Sequence, residues 1–396
     1  MLQIDHIYEF FHLVLPQIEH HYFRGGVIEK SRYHIFTKFP NTAKILYYDQ
    51  EPLLDTFVEF WLKVFVTHVS PNDPAGLIES IEQTGDYHIS PQSPLILAVS
   101  EHSMLVNTLS EKYNVKKLYY FFHGFAALDW YRGFYALNYN KQIVKQYKHD
   151  FISFNRIINN DRSYRIYFVS KLAELGLLNH GLVSFNVTDN PFNDWQDEVA
   201  DPNSKLSDIA KLHIEKHLVD INKLVIDQQE IHGSASADIP RSNFNLDIDA
   251  FWHVVTETVF YYDKLHLTEK IFKPIVSKQP FMLLAAPGNL AYLRSYGFKT
   301  FDGVIDESYD LIQDPDLRIE AVVQQLAWYC GLSDKEKQDI IYALEPIIEH
   351  NFRHFYGEFQ QIIVKELLDN TKTLFQDIGY NDSRINYQKI HHVLTH

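Results

Sequence analysis

Short apolar runs, each stopping abruptly in polar residues, alternate with stretches of helical spacing through the first half of the chain. Residues 44–48 (KILYY), 95–100 (LILAVS) and 117–122 (KLYYFF) have strand length and strand composition. They stop at Asp49-Gln50-Glu51, at Glu101-His102 and at His123-Gly124. Residues 53–67 and 104–113, between them, carry three-to-four spacing. This alternation predicts a doubly wound α/β sheet, in which ligands bind beyond the carboxyl ends of the strands. The three polar stops are therefore expected to line one wall of a cleft.

The rhythm restarts near residue 151. A strand over 151–154, a polar loop over 155–163 and an amphipathic helix over 164–175 closed by Gly176 are predicted, then a strand at 183–186. Residues 188–246 shift to Asp, Asn, Pro, Ser and Gly and read as an insertion holding one long helix over 204–229. Strand and helix alternate again at 251–256, 267–277, 281–285 and 291–295, and long helices are predicted within 334–375. The expected organisation is α/β with two Rossmann-like domains, 1–148 and 149–350, followed by terminal helices over 351–396 that cross back to the first domain. A chain of 396 residues exceeds one ordinary core and fits that division.

Composition narrows the picture. With 46% hydrophobic and 22% charged residues the chain reads as globular. Its one cysteine, Cys330, excludes a disulfide framework and a thiolate-rich metal site, and favours a reducing compartment. No run reaches the ~20 apolar residues that span a bilayer, and the first residues lack the basic and apolar regions of a secretory signal. A cytoplasmic location is expected, or host-cell cytoplasm for a viral protein. The net charge of −15 opposes bulk attraction to phosphate backbones. Within 111–148 the sign reverses: Lys112, Lys116, Lys117, Arg132, Lys141, Lys145 and Lys148 face only Glu111 and Asp129. Aromatic residues interleave these cations, so the stretch is either an anion- or nucleic-acid-binding surface or a core strand flanked by solvated lysines.

The most informative segment is 254–301. Thr268 stands where an N-cap belongs, Glu269 suits the first turn of a helix, and Lys270 and Lys273 lie on that turn. A diphosphate there would meet backbone N–H groups and two ammonium charges, and Glu269 could accept from two ribose hydroxyls. The bland reading is a capped amphipathic helix with solvated lysines. Beyond it, Gln279-Pro280-Phe281-Met282-Leu283-Leu284 and Pro287-Gly288-Asn289 predict a strand that ends in a flexible loop.

Thr256-Glu257-Thr258, then Leu267-Thr268-Glu269-Lys270, then Gln279-Pro280-Phe281-Met282 resemble the donor-binding signature of the α-1,3-fucosyltransferase family and its bacterial and phage-type relatives. The gap between the two glutamates is slightly longer here, and the Asn-Ser that follows the first glutamate in that family is Thr258-Val259. Arg165-Ile166-Tyr167-Phe168-Val169-Ser170-Lys171-Leu172 is similar to the family helix whose arginine reaches the donor phosphates. That implies a phosphate contact for Arg165, with Arg156 and Arg162 nearby. Tyr47-Tyr48-Asp49-Gln50-Glu51-Pro52 is similar to the acidic strand end of the family's acceptor domain. The resemblance implies a double-Rossmann (GT-B) fold with an interdomain cleft, acceptor half first and donor half second. It implies an inverting sugar transfer from a nucleotide-sugar donor, without a metal or other cofactor. Glu51 is then the candidate base, with Asp49 or His123 as alternatives, and Glu257, Glu269, Lys270 and Lys273 grip the donor. The acceptor is expected to be a glycan or, through Lys112, Lys116, Lys117 and Arg132, a hydroxymethylated base in DNA. A non-catalytic sugar- or nucleotide-binding protein on the same fold is the rival.

Other motifs are expected to be inert. Asp247-Ile248-Asp249 follows a polar run rather than an apolar strand, and Asp314-Pro315-Asp316 reads as a turn. The pairs His213/His217 and His350/His354 have i,i+4 spacing without a visible third ligand and read as solvated helix faces.

Overall fold

The computed structural model describes residues 19–24, 27–28, 44–48, 95–112, 116–132, 147–186, 194–221, 223–226 and 249–379. The chain divides into two compact units, Met1–Ala126 with Gln361–His396, and Ala127–Gln360. Both are mixed α/β.

In the first unit the strands are β1 (Glu19–Arg24), β2 (Val27–Ile28), β3 (Lys44–Tyr48), β4 (Leu95–Val99) and β5 (Lys116–Tyr119). They form one sheet in the order β2-β1-β3-β4-β5, parallel except for the antiparallel β1–β2 edge. Helix α1 (Met104–Lys112) joins β4 to β5, and α2 (Phe122–Trp130) follows. The predicted strand over 117–122 is therefore cut short. Tyr120 N still donates to Val99 O at 3.0 Å, but Phe122 N turns to Ser100 Oγ at 3.0 Å and opens a helix. Tyr119, Tyr120, Phe121 and Phe122 are all buried.

The second unit carries β6 (His149–Asn155), α3 (Tyr164–Glu174), β7 (Gly181–Phe185), α4 (Trp195–Ala200), α5 (Asp208–His217), β8 (Ala250–Thr256), α6 (Phe272–Val276), β9 (Phe281–Leu284), α7 (Asn289–Ser295), α8 (Pro315–Cys330) and α9 (Asp334–Tyr356). Helix α10 (Phe359–Asp377) ends the described chain. The sheet is wholly parallel, in the order β9-β8-β6-β7. Every residue of β8 and β9 is buried, as expected of parallel strands covered on both faces. Trp252 packs edge-on against Phe301 and Tyr329, while Phe251 stacks on Tyr329. Helix α3 packs against α5 and α8.

The long helix expected over 204–229 is a ten-residue helix, α5. Ser207 caps it by accepting from Ala210 N, and the chain leaves it at Leu218 so that Leu224 can exchange two backbone hydrogen bonds with Phe185 of β7. An edge strand with unpaired backbone groups outcompeted further helix. Asp314-Pro315-Asp316, expected as a turn, is the start of α8. Asp314 accepts from Asp316 N and Leu317 N, both at 2.9 Å, with Pro315 at the first helical position.

Candidate functional site

From β6 the chain passes to β7 on one side and returns to β8 on the other, so strand order reverses between β6 and β8. Ligands in open parallel sheets bind beyond the carboxyl ends at such a reversal. Asn155 ends β6, and Glu257 and Thr258 follow β8. Asn155 Oδ1 is buried and has no hydrogen-bond partner among the described residues.

Glu257 is fully buried, and its backbone N–H extends the ladder to Leu284 O at 2.9 Å. Its carboxylate accepts from Thr268 N at 3.1 Å, from Thr258 N at 3.2 Å and from Thr268 Oγ1. Glu257 thus staples the loop before the Glu269–Ile271 turn onto the end of β8. Lys270 Nζ reaches Glu269 Oε1 at 2.9 Å, Thr268 Oγ1 at 3.2 Å and Thr258 Oγ1 at 3.4 Å. Three donors meet three oxygens, so Lys270 is engaged by its own neighbours.

Lys273 differs. It is buried, and its ammonium lies 3.6 Å from the centre of the Phe154 ring. No carboxylate or other acceptor engages it among the described residues. A ring face returns little of the hydration an ammonium loses on burial, so this charge is largely uncompensated among the described residues. On α6 the neighbouring Phe272 turns into a cluster with Phe298, Phe355 and Phe359, which anchors the short helix and fixes where Lys273 points. His253 of β8 feels the result: burial, and then the Lys273 charge, push its pKa down to about 3.

Arg165 and Tyr164, at the start of α3, hold the end of β8 from below. Arg165 donates to Ile157 O at 2.8 Å and Thr256 O at 2.7 Å, and Tyr164 to Glu257 O at 2.6 Å. The guanidinium expected on a donor phosphate is directed to backbone carbonyls. The loop after β9 is built around Asn289, fully buried, whose amide accepts from His266 N and donates to Lys264 O and Ala286 O. Gly288 enters it at φ 84°, which a residue with a Cβ adopts only under strain.

The structure brings Glu257, Glu269, Lys270 and Lys273 together through one short segment. Asp49 and Glu51 lie outside the described residues. His123 is not at a strand end but buried in the first turn of α2. Arg156 opens the loop after β6, half-buried. Of the basic stretch, Lys117 is exposed and donates to Asn107 at 2.6 Å, Lys116 is half-buried, Arg132 pairs with Asp129, and Lys112 ends α1. Most of its described aromatics, Tyr131 included, fill the core, whereas Trp130 is 41% exposed. Glu101, His102 and Lys117 border a cavity of about 250 Å³ in the first unit. Asp249 forms an ion pair with Lys148 at 3.0 Å, while Asp247 is outside the described residues. His350 and His354 do not form a solvated face: their Nε2 atoms bond Gly297 O at 3.0 Å and Tyr296 O at 2.6 Å. Sequence reasoning missed Phe154 and Asn155. The rule applied to the first three strands, looking just past the carboxyl end, would have found them on β6.

No known family's model matches this chain. No curated protein matches it either. Among the described residues no helix is long and apolar enough to cross a membrane.

Proposed function

We propose that this chain is a glycosyltransferase moving a sugar from a nucleotide-sugar donor to an acceptor hydroxyl. The observation that carries the reading is Lys273, a buried ammonium without an anionic partner among the described residues, beside the strand-order reversal of a parallel sheet. In this reading Ala127–Gln360 is the donor half and the other unit the acceptor half of a GT-B arrangement. The donor diphosphate takes Lys273, with Lys270 second, and Glu269 accepts from ribose hydroxyls. Arg165 acts as a positioning residue, holding the carbonyls of Ile157 and Thr256. A carboxylate, Glu51 first and Asp49 next, takes the acceptor proton as the acceptor oxygen attacks the anomeric carbon. The bond from that carbon to the diphosphate breaks, and the ammonium groups meet the charge that develops on the leaving group.

Screening nucleoside diphosphates and their sugar conjugates by thermal shift tests the proposal, because a ligand that binds only the folded state raises its apparent stability. At least one is expected to raise the melting temperature, and Lys273→Met to remove the shift. No response to any of them, or a response indifferent to Lys273→Met, would sink this reading.

A further inference from the structure

We propose that Glu174, His213 and His217 form a binding site for a divalent metal ion of the zinc class, clamping the end of α3 to α5. Glu174 is the last residue of α3, and His213 and His217 stand one turn apart on α5. One carboxylate oxygen and one nitrogen of each ring all lie within 4.8 Å of one another. Donor atoms around a tetrahedral zinc are about 3.3 Å apart, so small rotamer changes close the site. His213 Nε2 is already 3.1 Å from Glu174 Oε2. The rings of His213 and His217 stack, centroids 4.4 Å apart, so the two imidazoles lie side by side on α5.

The hydrogen bonds around His213 fix which nitrogen is free to bind metal. Ser170 donates its hydroxyl proton to Tyr167 O at 2.7 Å. Its oxygen is therefore the acceptor in the 3.0 Å contact with His213 Nδ1, and the imidazole proton sits on Nδ1. With Nδ1–H so engaged, Nε2 faces the Glu174 carboxylate at 3.1 Å and shares one cation with it, a proton without metal and Zn²⁺ with it. Both Nε2 atoms are buried; that of His213 faces only Glu174, and that of His217 has no hydrogen-bond partner among the described residues. This is the arrangement of a metal-binding histidine whose other nitrogen is held by an outer hydrogen bond.

One side chain competes. Lys171 Nζ reaches Glu174 Oε2 at 2.7 Å, but it is also 3.6 Å from Glu320 Oε1 and can keep that partner when the metal takes Glu174. Two imidazoles and a carboxylate suit Zn²⁺ over Mg²⁺ or Ca²⁺, and leave a fourth position for water or an added ligand.

Calorimetric titration of the full chain, free of any polyhistidine tag, with Zn²⁺ alone tests the site. One saturable site is expected, lost in Glu174→Gln and in His217→Gln. Ser170→Ala is expected to weaken it roughly 10- to 100-fold by releasing the His213 ring. His350→Ala, at a ring on α9 whose Nε2 bonds Gly297 O, leaves it unchanged. In the unmodified chain, nitrogen NMR is expected to show Zn²⁺ shifting Nε2 of His213 and His217 while His213 keeps its Nδ1 proton. The NMR result does not depend on any variant folding. An isotherm unaltered in the His213→Gln/His217→Gln double variant, or Zn²⁺ leaving those two nitrogens unshifted, overturns the proposal.

Discussion

Lys273 carries opposite signs for stability and for binding. Its ammonium is buried against Phe154 without an acidic partner among the described residues, so Lys273→Met is expected to stabilise the ligand-free protein by about 1 kcal/mol while abolishing the diphosphate response. Urea unfolding with and without ligand measures both; a variant that is less stable and still binds would contradict the assignment. Glu257 is the reverse case. Its carboxylate takes three hydrogen bonds, and Glu257→Ala leaves buried donors of Thr258 and Thr268 unsatisfied at a cost of roughly 3 kcal/mol, measurable by the same unfolding. His253 titrates at about 3 when folded against 6.5 ordinarily. The unfolded chain therefore takes up this proton first as pH falls. The neutral ring's contribution is complete above about pH 6.5 and is lost progressively toward pH 3, on the order of 5 kcal/mol in all. A His253→Gln variant is expected to lose less stability than the parent between pH 6.5 and 4. Equal acid slopes would refute it.

At the scale of elements, local signals were sound where short-range chemistry decides and misleading where a partner strand decides. The helix over 164–175 closed by Gly176 is α3, with Gly176 at φ 69° and open space where a Cβ would stand. Gly176→Ala is accordingly expected to cost about 1 kcal/mol from the left-handed backbone alone, seen as a lowered melting temperature. The start of α9 was legible in the same way, since Ser333 and Glu336 form a reciprocal capping box. The predicted strand at 117–122 and helix at 204–229 both ran too far. In each, hydrogen bonding with a distant residue, Phe122 N to Ser100 Oγ and the reciprocal pair between Leu224 and Phe185, redirected the backbone. Window patterns contain no record of such partners. The Glu269-Lys270-Lys273 segment was found as a motif, yet the two lysines looked equivalent on one turn. Only their surroundings, three oxygens for Lys270 and a phenyl face for Lys273, separate them.

For the whole molecule, a net charge of −15 sets the long-range field. Unmodified duplex DNA is expected to bind more weakly than the ~10⁻⁴–10⁻⁶ M usual for non-specific binders at physiological salt, in a gel-shift assay, because the aromatics among the basic residues are mostly core. Alternation of apolar runs and helical stretches was enough to establish an α/β chain, since strand and helix periods are local properties of the backbone. The same holds for the polar stop at Glu101-His102 and the Thr268-Glu269-Lys270 turn. Strand order could not be read that way: the reversal between β6 and β8 depends on which strands pair, a choice made by packing across the unit. Nor could the meeting of Glu174 with His213 and His217, which are 39 residues apart at the nearest and were dismissed for want of a third ligand. Charge, cap and period are written residue by residue. Desolvation, partner and proximity come into being only when the chain closes on itself.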